Sequence, residues 1–335
     1  MYSKRIFPIL VSILLLTTLL FFVASVTFAE ETKTLSFATT MEDYGIDHEL
    51  TQRFAEKVNK LSDGLLEIDL FMSGILGGER EIIEQMQAGE IDLAYLSILG
   101  TLYFPEYDAS NIPFLWPDWR AVEEYLKGPI GYKAWAMVEN KGNLIFLGEV
   151  HQYGARWLTS NRPIEVPEDL NGLMLRLPDQ PIWNAVWREL GAKPTPISAA
   201  EIVSSLRTGV VDAQENFLTN LVGRSLWEVQ DYAIATKHIS QFQFWTASKS
   251  SWEKLTHTER NIIRQAITEA VDEVMPMVDE LNEDFVQTLK ENDMNIIYPD
   301  YNVFAQAAMP KVKEILEKDF APEAAEEIFR ILDQY

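Results

Sequence analysis

The chain has 335 residues, enough for roughly two domains, and a formal charge of −23, because 51 acidic residues outnumber 28 lysines and arginines. Such an acidic chain disfavours nucleic-acid binding, which needs clustered basic side chains to displace counterions from phosphates. The chain has no cysteine, which excludes disulfides, thiolate catalysis and cysteine-ligated zinc or iron–sulfur clusters.

The first 29 residues have the three parts of a secretory signal peptide. Lys4 and Arg5 precede an apolar stretch over residues 6–24, and Ala29 comes directly before an acidic pair. We predict a signal peptide over residues 1–29, cleaved after Ala29, and a folded part in the periplasm. An uncleaved membrane anchor is the alternative, because the apolar stretch is nearly long enough to span a bilayer.

The next part of the chain alternates strands with helices. Apolar residues recur at helical spacing in two segments and at strand spacing in the segments between them, and glycines end both helices. No hairpin turn joins consecutive strands, which favours a parallel sheet with crossover helices. The predicted elements are strands over residues 33–39, 66–72 and 91–96, and helices over 49–62 and 79–88.

The same alternation returns after residue 172. It predicts strands over 173–177 and 210–212, a helix after Pro181 and a helix over 199–208. Two such units predict an α/β protein with two similar lobes and parallel-type sheets. The ligands of open parallel sheets lie beyond the carboxyl ends of the strands.

The last third is helical. Thr256 and Glu259 form a capping box that opens an apolar stripe of about 30 residues, and Pro276 interrupts it. A helix of that length measures about 45 Å, which is longer than one lobe. We therefore predict a long kinked helix that spans both lobes.

Motifs for catalysis and for cofactors are missing from the sequence. The four histidines are scattered, and there is no metalloprotease, nucleophile-elbow, phosphate-loop or dinucleotide motif. We predict no metal and no cofactor. The competing function is an extracytoplasmic enzyme that acts on acidic sugars through a carboxylate pair, for which Asp212 and Glu215 are the candidates.

Two arginines lie in apolar, strand-like segments of this acidic chain. Arg156 lies in YGARW and Arg176 in GLMLRLP. A buried guanidinium is costly unless an anion pairs with it. The partner is either a carboxylate of the protein, in a structural ion pair, or the carboxylate of a ligand held by two parallel hydrogen bonds.

Eight short motifs follow one another along the chain after the N-terminal segment. They are LGGERE from Leu76, AGEID from Ala88, PFL from Pro113, TSNRP from Thr159, DLNGLMLR from Asp169, GAKPTP from Gly191, LRTGVVDAQEN from Leu206 and WEKL from Trp252. By these motifs, in this order, nearly all of the chain after the N-terminal segment resembles the DctP-type solute-binding proteins of TRAP (tripartite ATP-independent periplasmic) transporters.

The resemblance implies a two-lobed extracytoplasmic receptor and not an enzyme. Such receptors close on an organic or sugar acid and deliver it to the membrane subunits of a permease that a sodium gradient drives. We expect lobe I to comprise residues 30–153 and about 242–281, and lobe II residues 154–241 and about 282–335.

The resemblance also implies the ligand-binding residues. Arg176 matches the family arginine that pairs with the ligand carboxylate, Arg156 a second basic contact, and Asn216 an asparagine that contacts the same carboxylate. Three further residues fall where the first lobe touches the rest of the ligand: Thr40, Glu79 and Ser97.

This chain departs from the family pattern at several places on the expected pocket wall. Ala199 stands where sialic-acid binders carry an aromatic, and Phe217 replaces a common proline. Phe217, Tyr44 and Trp183 are candidates for an aromatic wall instead, but each is more often a core residue, because large aromatics are usually buried. The sequence therefore predicts a carboxylate site without naming the acid.

Overall fold

The computed structural model describes residues 32–335. The chain divides into two units, residues 1–33 and 34–335, and the first is described only at Thr32 and Lys33. The predicted signal peptide over residues 1–29 lies outside the described residues. From residue 32 onward, every helix is too short or too polar to cross a bilayer.

Ten strands run through the described part of the chain. Their order across the molecule is β2-β1-β3-β9-β4-β7-β5-β6, with β8 beside β4 and β10 beside β8. The strands are β1 (Lys33–Thr39), β2 (Leu66–Phe71), β3 (Leu93–Leu96), β4 (Leu144–Ser160), β5 (Met174–Leu177), β6 (Lys193–Pro196), β7 (Ala213–Phe217), β8 (Tyr232–Ile234), β9 (Ser240–Ser248) and β10 (Asn295–Ile297).

The sheets are mixed, so the prediction of parallel-type sheets is wrong in part. β1 and β3 are parallel, as are β5 with β6 and β5 with β7, which are the crossover units seen in the sequence. β9, however, runs antiparallel to both β3 and β4, and β4 runs antiparallel to β7 and β8. The antiparallel pairs arise because the chain leaves β8 in the second sheet and then forms β9 between β3 and β4 in the first.

Strand β4 belongs to both sheets. Its first residues pair with β9, and its last residues pair with β7 on one side and β8 on the other. The β4–β9 register shifts between Phe146 and Val150 and again between Gln152 and Ala155. Such irregularities bend and twist a strand, which lets one continuous strand continue from one sheet into the next.

Helices cover the faces of the sheets. They are α1 (Gly45–Leu61), α2 (Glu79–Ala88), α3 (Leu99–Tyr103), α4 (Trp119–Lys127), α5 (Pro129–Gly142), α6 (Pro181–Glu189), α7 (Ile202–Arg207), α8 (Leu218–Gly223), α9 (Lys249–Lys254), α10 (His257–Val274), α11 (Val278–Glu291), α12 (Tyr301–Asp319) and α13 (Pro322–Leu332).

The long kinked helix is confirmed as the pair α10 and α11. Thr256 accepts from the Glu259 N–H at 3.2 Å, and the Glu259 carboxylate accepts from the Thr256 N–H at 2.6 Å, which completes the predicted capping box. A single 3₁₀ turn at Pro276 separates the two helices. α10 packs on α1 beside the first sheet, while α11 packs on α8 and β10 beside the second.

Most tryptophans lie in the core, as expected for large aromatics. Seven of the nine are buried, Trp227 is partly buried, and Trp119 is exposed. Trp245 of β9 lies 4.9 Å from Phe54 of α1 and 5.5 Å from Phe37 of β1, measured between ring centroids. This cluster fastens β9 into the first sheet.

Gly89 ends helix α2 in the left-handed conformation, with φ of +77°. A Cβ at this position would lie 2.6 Å from the Ser250 hydroxyl oxygen, whereas a Cβ at Gly64, where φ is +81°, would meet nothing within 4 Å. We expect Gly64→Ala to cost about 1–2 kcal/mol for the backbone alone and Gly89→Ala to cost more. Urea unfolding of both variants measures the difference, and equal losses would show that Ser250 moves away freely.

Candidate functional site

A cavity of about 680 Å³ lies beyond the carboxyl ends of the strands of both sheets. Thr40 follows β1 and Ser97 follows β3, while Pro178, Ile197 and Phe217 mark the ends of β5, β6 and β7. Its volume is in the usual range for small-molecule sites, and its position is the expected one for an open α/β sheet. All six predicted ligand-binding residues lie on its wall: Thr40, Glu79, Ser97, Arg156, Arg176 and Asn216.

Arg176 is a buried cation on the cavity wall, with 3% of its surface exposed. Its Nε donates to the Ile197 carbonyl at 2.8 Å, which orients the side chain from the neighbouring strand. Burial lowers its pKa to about 10, against the attraction of Glu215. Among the described residues, no carboxylate forms a salt bridge with Arg176. The structural ion pair considered for this arginine is therefore not found, which leaves room for a ligand anion.

Arg156 has the ion pair that Arg176 lacks. It lies on β4 opposite Phe217 of β7, and its Nε and Nη2 donate to the two carboxylate oxygens of Glu215, the second at 3.0 Å. The guanidinium carbon also lies 4.7 Å from the Phe217 ring centroid and 5.0 Å from that of Trp183. Arg156 therefore borders the cavity with its charge already compensated.

Glu215 is buried between Arg156 and His238. The His238 Nε2 lies 3.1 Å from its Oε2, and the other ring nitrogen lies 2.8 Å from the Thr236 hydroxyl. Burial alone would raise the pKa of Glu215, but Arg156 and the hydrogen bonds outweigh it and lower the pKa to about 2. A carboxylate held ionised in this way cannot act as a general acid, which argues against the pair of Asp212 and Glu215 as catalytic groups.

Asn216 presents a donor to the cavity. Its Oδ1 accepts from the Phe217 N–H at 3.0 Å and from the Asn220 amide at 2.6 Å. Because the oxygen is occupied, the amide NH₂ is the group that remains for a ligand, and a carboxylate accepts from such donors. The contact with a ligand carboxylate predicted for Asn216 needs such a donor, and it stays a prediction.

Glu79 ties helix α2 to the segment after β3. It accepts from the backbone N–H of Ser97, from the Ser97 hydroxyl and from the Ile98 N–H, each at 3.0 Å. Burial raises its pKa to about 6, although the bonds from Ser97 and Ile98 oppose that shift. Glu79 and Ser97 thus bind each other at the cavity wall, and Thr40 lines the same cavity.

The raised pKa of Glu79 predicts a measurable pH effect on stability. The unfolded carboxyl group titrates near 4.3, so between about pH 4.3 and 6 the folded state binds more protons and loses stability as the pH rises. Relative to Glu79→Gln, the wild type should lose on the order of 2 kcal/mol across that window. Urea unfolding at several pH values tests this. Glu84→Gln, an exposed change on the same helix, is the control, and a pH-independent difference for Glu79→Gln would contradict the prediction.

Sequence reasoning missed several residues of the cavity wall. Arg224 lies there, bound to Glu42 at 2.5 Å and to the Ala199 carbonyl at 2.9 Å. Gln180 accepts from the Thr101 hydroxyl at 3.0 Å. Arg224 follows Asn220, which also lines the cavity, at the four-residue spacing of a helix, and that spacing is the signal by which Arg224 could have been found.

Two of the three candidate aromatics lie on the cavity wall, and both are buried, as large aromatics usually are. Phe217 and Trp183 line the cavity, and the Trp183 Nε1 donates to the Asn111 carbonyl at 2.6 Å. Tyr44 lies instead in a separate surface groove with Trp227. Ala199 lies on the cavity wall and leaves space at the position where an aromatic was considered.

Comparison with known proteins gives consistent matches. The model of the family "Bacterial extracellular solute-binding protein, family 7" matches residues 37–319. The sialic acid-binding periplasmic protein SiaP of Vibrio cholerae is 30% identical over 80% of this chain and 84% of its own. The C4-dicarboxylate-binding periplasmic protein DctP of Rhodobacter capsulatus is 26% identical over 71% and 72%. A TRAP periplasmic solute binding protein from Roseobacter denitrificans, crystallised with bound L-galactonate, is 27% identical with a TM-score of 0.82 and covers 91% of this chain and 100% of that one.

Proposed function

This chain belongs to the bacterial extracellular solute-binding proteins of family 7, the DctP-type receptors of TRAP transporters, and from that premise we propose that Arg176 holds the carboxylate of its ligand. The predicted family is confirmed, as is the two-lobed α/β fold. The protein is a solute receptor and not an enzyme, since family and relatives are transport receptors.

The observation that supports the proposal is that Arg176 is a buried cation without a salt bridge among the described residues. It is a buried guanidinium on the cavity wall, fixed by the Ile197 carbonyl. Two charge-assisted hydrogen bonds from it to a carboxylate, at about 1.5–3 kcal/mol each, account for much of the roughly −8 kcal/mol of a micromolar complex. The Asn216 amide is the third donor, and Arg156 adds a flat, charge-compensated wall.

Polar side chains elsewhere on the cavity wall provide partners for the rest of an organic or sugar acid. They are Thr40, Glu79, Ser97 and Thr101 of the expected lobe I and Gln180 of the expected lobe II, all of which hydrogen-bond hydroxyl groups readily. Closure of lobe I, residues 30–153 and about 242–281, on lobe II, residues 154–241 and about 282–335, would bring the lobe I groups against the ligand. The register shifts of β4 and the turn at Pro276 are the places for such a hinge.

The partners follow from the family. We infer that the loaded receptor delivers its ligand to the membrane subunits of a TRAP permease that a sodium gradient drives. Residues 1–29 export the chain to the periplasm in this proposal, with cleavage after Ala29. The mass of the exported protein tests that cleavage directly, because a retained anchor leaves the full-length mass.

A thermal-shift screen tests the function. The purified protein is heated with monocarboxylates, dicarboxylates and sugar acids, each beside the neutral polyol of the same length. Ligand at 100 times its Kd stabilises the folded state by about 2.7 kcal/mol, which raises Tm by several degrees. We expect acids to shift Tm, polyols not to, and the bound acid to be recovered unchanged by NMR. No shift with any acid, or conversion of the acid, would overturn the proposal.

A further inference from the structure

A second arginine on the cavity wall is occupied by the protein itself. The Arg224 Nη2 donates to the Glu42 Oε1 at 2.5 Å and its Nη1 to the Ala199 carbonyl at 2.9 Å. Its Nε is buried without a hydrogen-bond partner among the described residues. The ion pair is largely shielded, with 22% of the Arg224 side chain and 17% of the Glu42 side chain exposed. The charge of Arg224 is thus paired with a carboxylate of the protein itself.

Arg224 and Arg176 act on the same space. Both line the cavity, and the positive charge of Arg224 is one of the causes that lower the pKa of Arg176, after burial and Arg156. Without Glu42, Arg224 would be a second uncompensated cation facing the same ligand. With Glu42, that charge is compensated and part of the donor set is already used, so Arg224 attracts a second ligand carboxylate less strongly.

The remaining charges of the cavity are balanced or negative. Arg156 is neutralised by Glu215. Three acidic side chains, Glu79, Glu81 and Asp179, share the wall with the exposed Arg80. A single buried cation, Arg176, therefore remains for a ligand in the described residues, and a dianion would place its second charge among carboxylates, which costs free energy.

The polar groups near these carboxylates favour hydroxyl groups instead. Carboxylate and amide oxygens accept from hydroxyls, and Thr40 and Thr101 both donate and accept. Gln180 and Thr101 are already joined at 3.0 Å, which holds both side chains at the wall. A ligand with one carboxylate and several hydroxyls satisfies both parts of the cavity.

We propose that the receptor selects polyhydroxylated monocarboxylates over dicarboxylates, and that Glu42 determines this choice by neutralising Arg224. The inference rests on the proposed function, because it assigns the class of acid that the Arg176 site accepts. Glu42 acts as a positioning residue: it reaches the ligand only through Arg224.

Isothermal titration calorimetry with matched acid pairs tests the inference. Galactonate and galactarate differ only in a terminal carboxylate, as do threonate and tartrate at four carbons. We expect the wild type to bind one or both of the monoacids. Its affinity for that monoacid should be at least about tenfold higher than for the matching diacid. In Glu42→Gln the affinity for the diacid should rise at least about tenfold relative to that for the monoacid in one of the two pairs, because Arg224 is released.

Asp43→Asn is the matched control. Asp43 is adjacent to Glu42 but pairs with His48 at 2.8 Å on the surface, so this change removes the same charge without releasing Arg224. The mono-to-diacid ratio should stay at the wild-type value. Circular dichroism and melting confirm that each variant is folded before titration.

The outcomes separate this inference from the function on which it rests. Three results would each overturn the role of Glu42. The first is a wild type that binds diacids as tightly as monoacids. The others are a mono-to-diacid affinity ratio that stays unchanged in Glu42→Gln, or one that changes equally in Glu42→Gln and Asp43→Asn. Failure of both monoacids while the thermal-shift screen finds another acid would overturn the ligand class and leave the receptor intact. Failure of every acid in that screen would instead overturn the proposed function.

Discussion

Replacing Arg176 with glutamine is expected to weaken acid binding by at least about 100-fold, because two charge-assisted hydrogen bonds are lost at once. The affinity of Arg176→Lys should lie between those of the wild type and Arg176→Gln, since an ammonium keeps the charge but not the planar fork. Titration of the acid that the screen identifies measures both losses. Arg207→Gln is the control, because that arginine is exposed and pairs with Glu228.

The ligand-free stability of the same variant distinguishes a ligand-binding role from a structural one. The pKa of Arg176 is lowered to about 10, mainly by burial, so the folded state disfavours its charge. Glutamine removes that cost, and the ligand-free variant should unfold at the same or a higher urea concentration. A variant that is less stable yet binds acids normally would show that Arg176 is structural.

Glu215→Gln is expected to lower the free energy of unfolding by about 3–5 kcal/mol, the usual loss when one partner of a buried ion pair is removed. The substitution leaves Arg156 charged and buried with a neutral neighbour. Acid binding should weaken as well, since Arg156 holds its place on the cavity wall through Glu215. Urea unfolding near neutral pH measures the main effect.

The pH dependence of that loss has a definite sign. The pKa of Glu215 is lowered to about 2 in the folded protein, against about 4.3 in the unfolded chain. Its contribution is therefore complete above about pH 4.3 and is lost as the pH falls toward 2. The gap between wild type and variant should close over that range. Glu314→Gln is the control, because Glu314 also has a pKa near 2 but lies at the surface, and its removal should change little.

Local sequence signals predicted those elements whose causes are local. Strand β1 has the predicted bounds, the capping box opens α10, and Pro276 breaks the long helix where proline removes a donor. In each case the residues that decide the structure lie within one or two turns of each other. Gly89 likewise ends α2 through its own conformation.

The predicted strand over residues 210–212 was wrong because burial there depends on distant partners. Two valines suggested a strand, yet Val210 is 51% exposed, and the strand is Ala213–Phe217. The polar residues of this strand can be buried because they form hydrogen bonds with the neighbouring strand β4. Gln214 donates to the Thr159 hydroxyl at 2.9 Å, and Glu215 accepts from the Arg156 guanidinium. No pattern within the segment reports these bonds.

In the candidate site, too, some residues were predictable from the sequence while their long-range ion pairs were not. Arg176 and Arg156 stood out by residue type, Asn216 by family resemblance alone, and the structure places them on one cavity with the three first-lobe residues. The ion pairs were not predictable, because they join residues far apart in the chain. Glu215 is a candidate catalytic acid by residue type alone, whereas the pairing of β4 with β7 places it beside Arg156. The bond of Glu42 with Arg224 likewise depends on the packing of both sheets.

The position of β9 also governs how this chain can fold. β9 fills the gap between β3 and β4, but its residues, Ser240–Ser248, are synthesised long after both neighbours. Until then β3 has an open edge, and the aromatic cluster around Trp245 is incomplete. Pairings between such distant segments slow folding and prolong the exposure of unpaired strands. The first sheet therefore closes late, in a step that also fixes the β4 strand of the second.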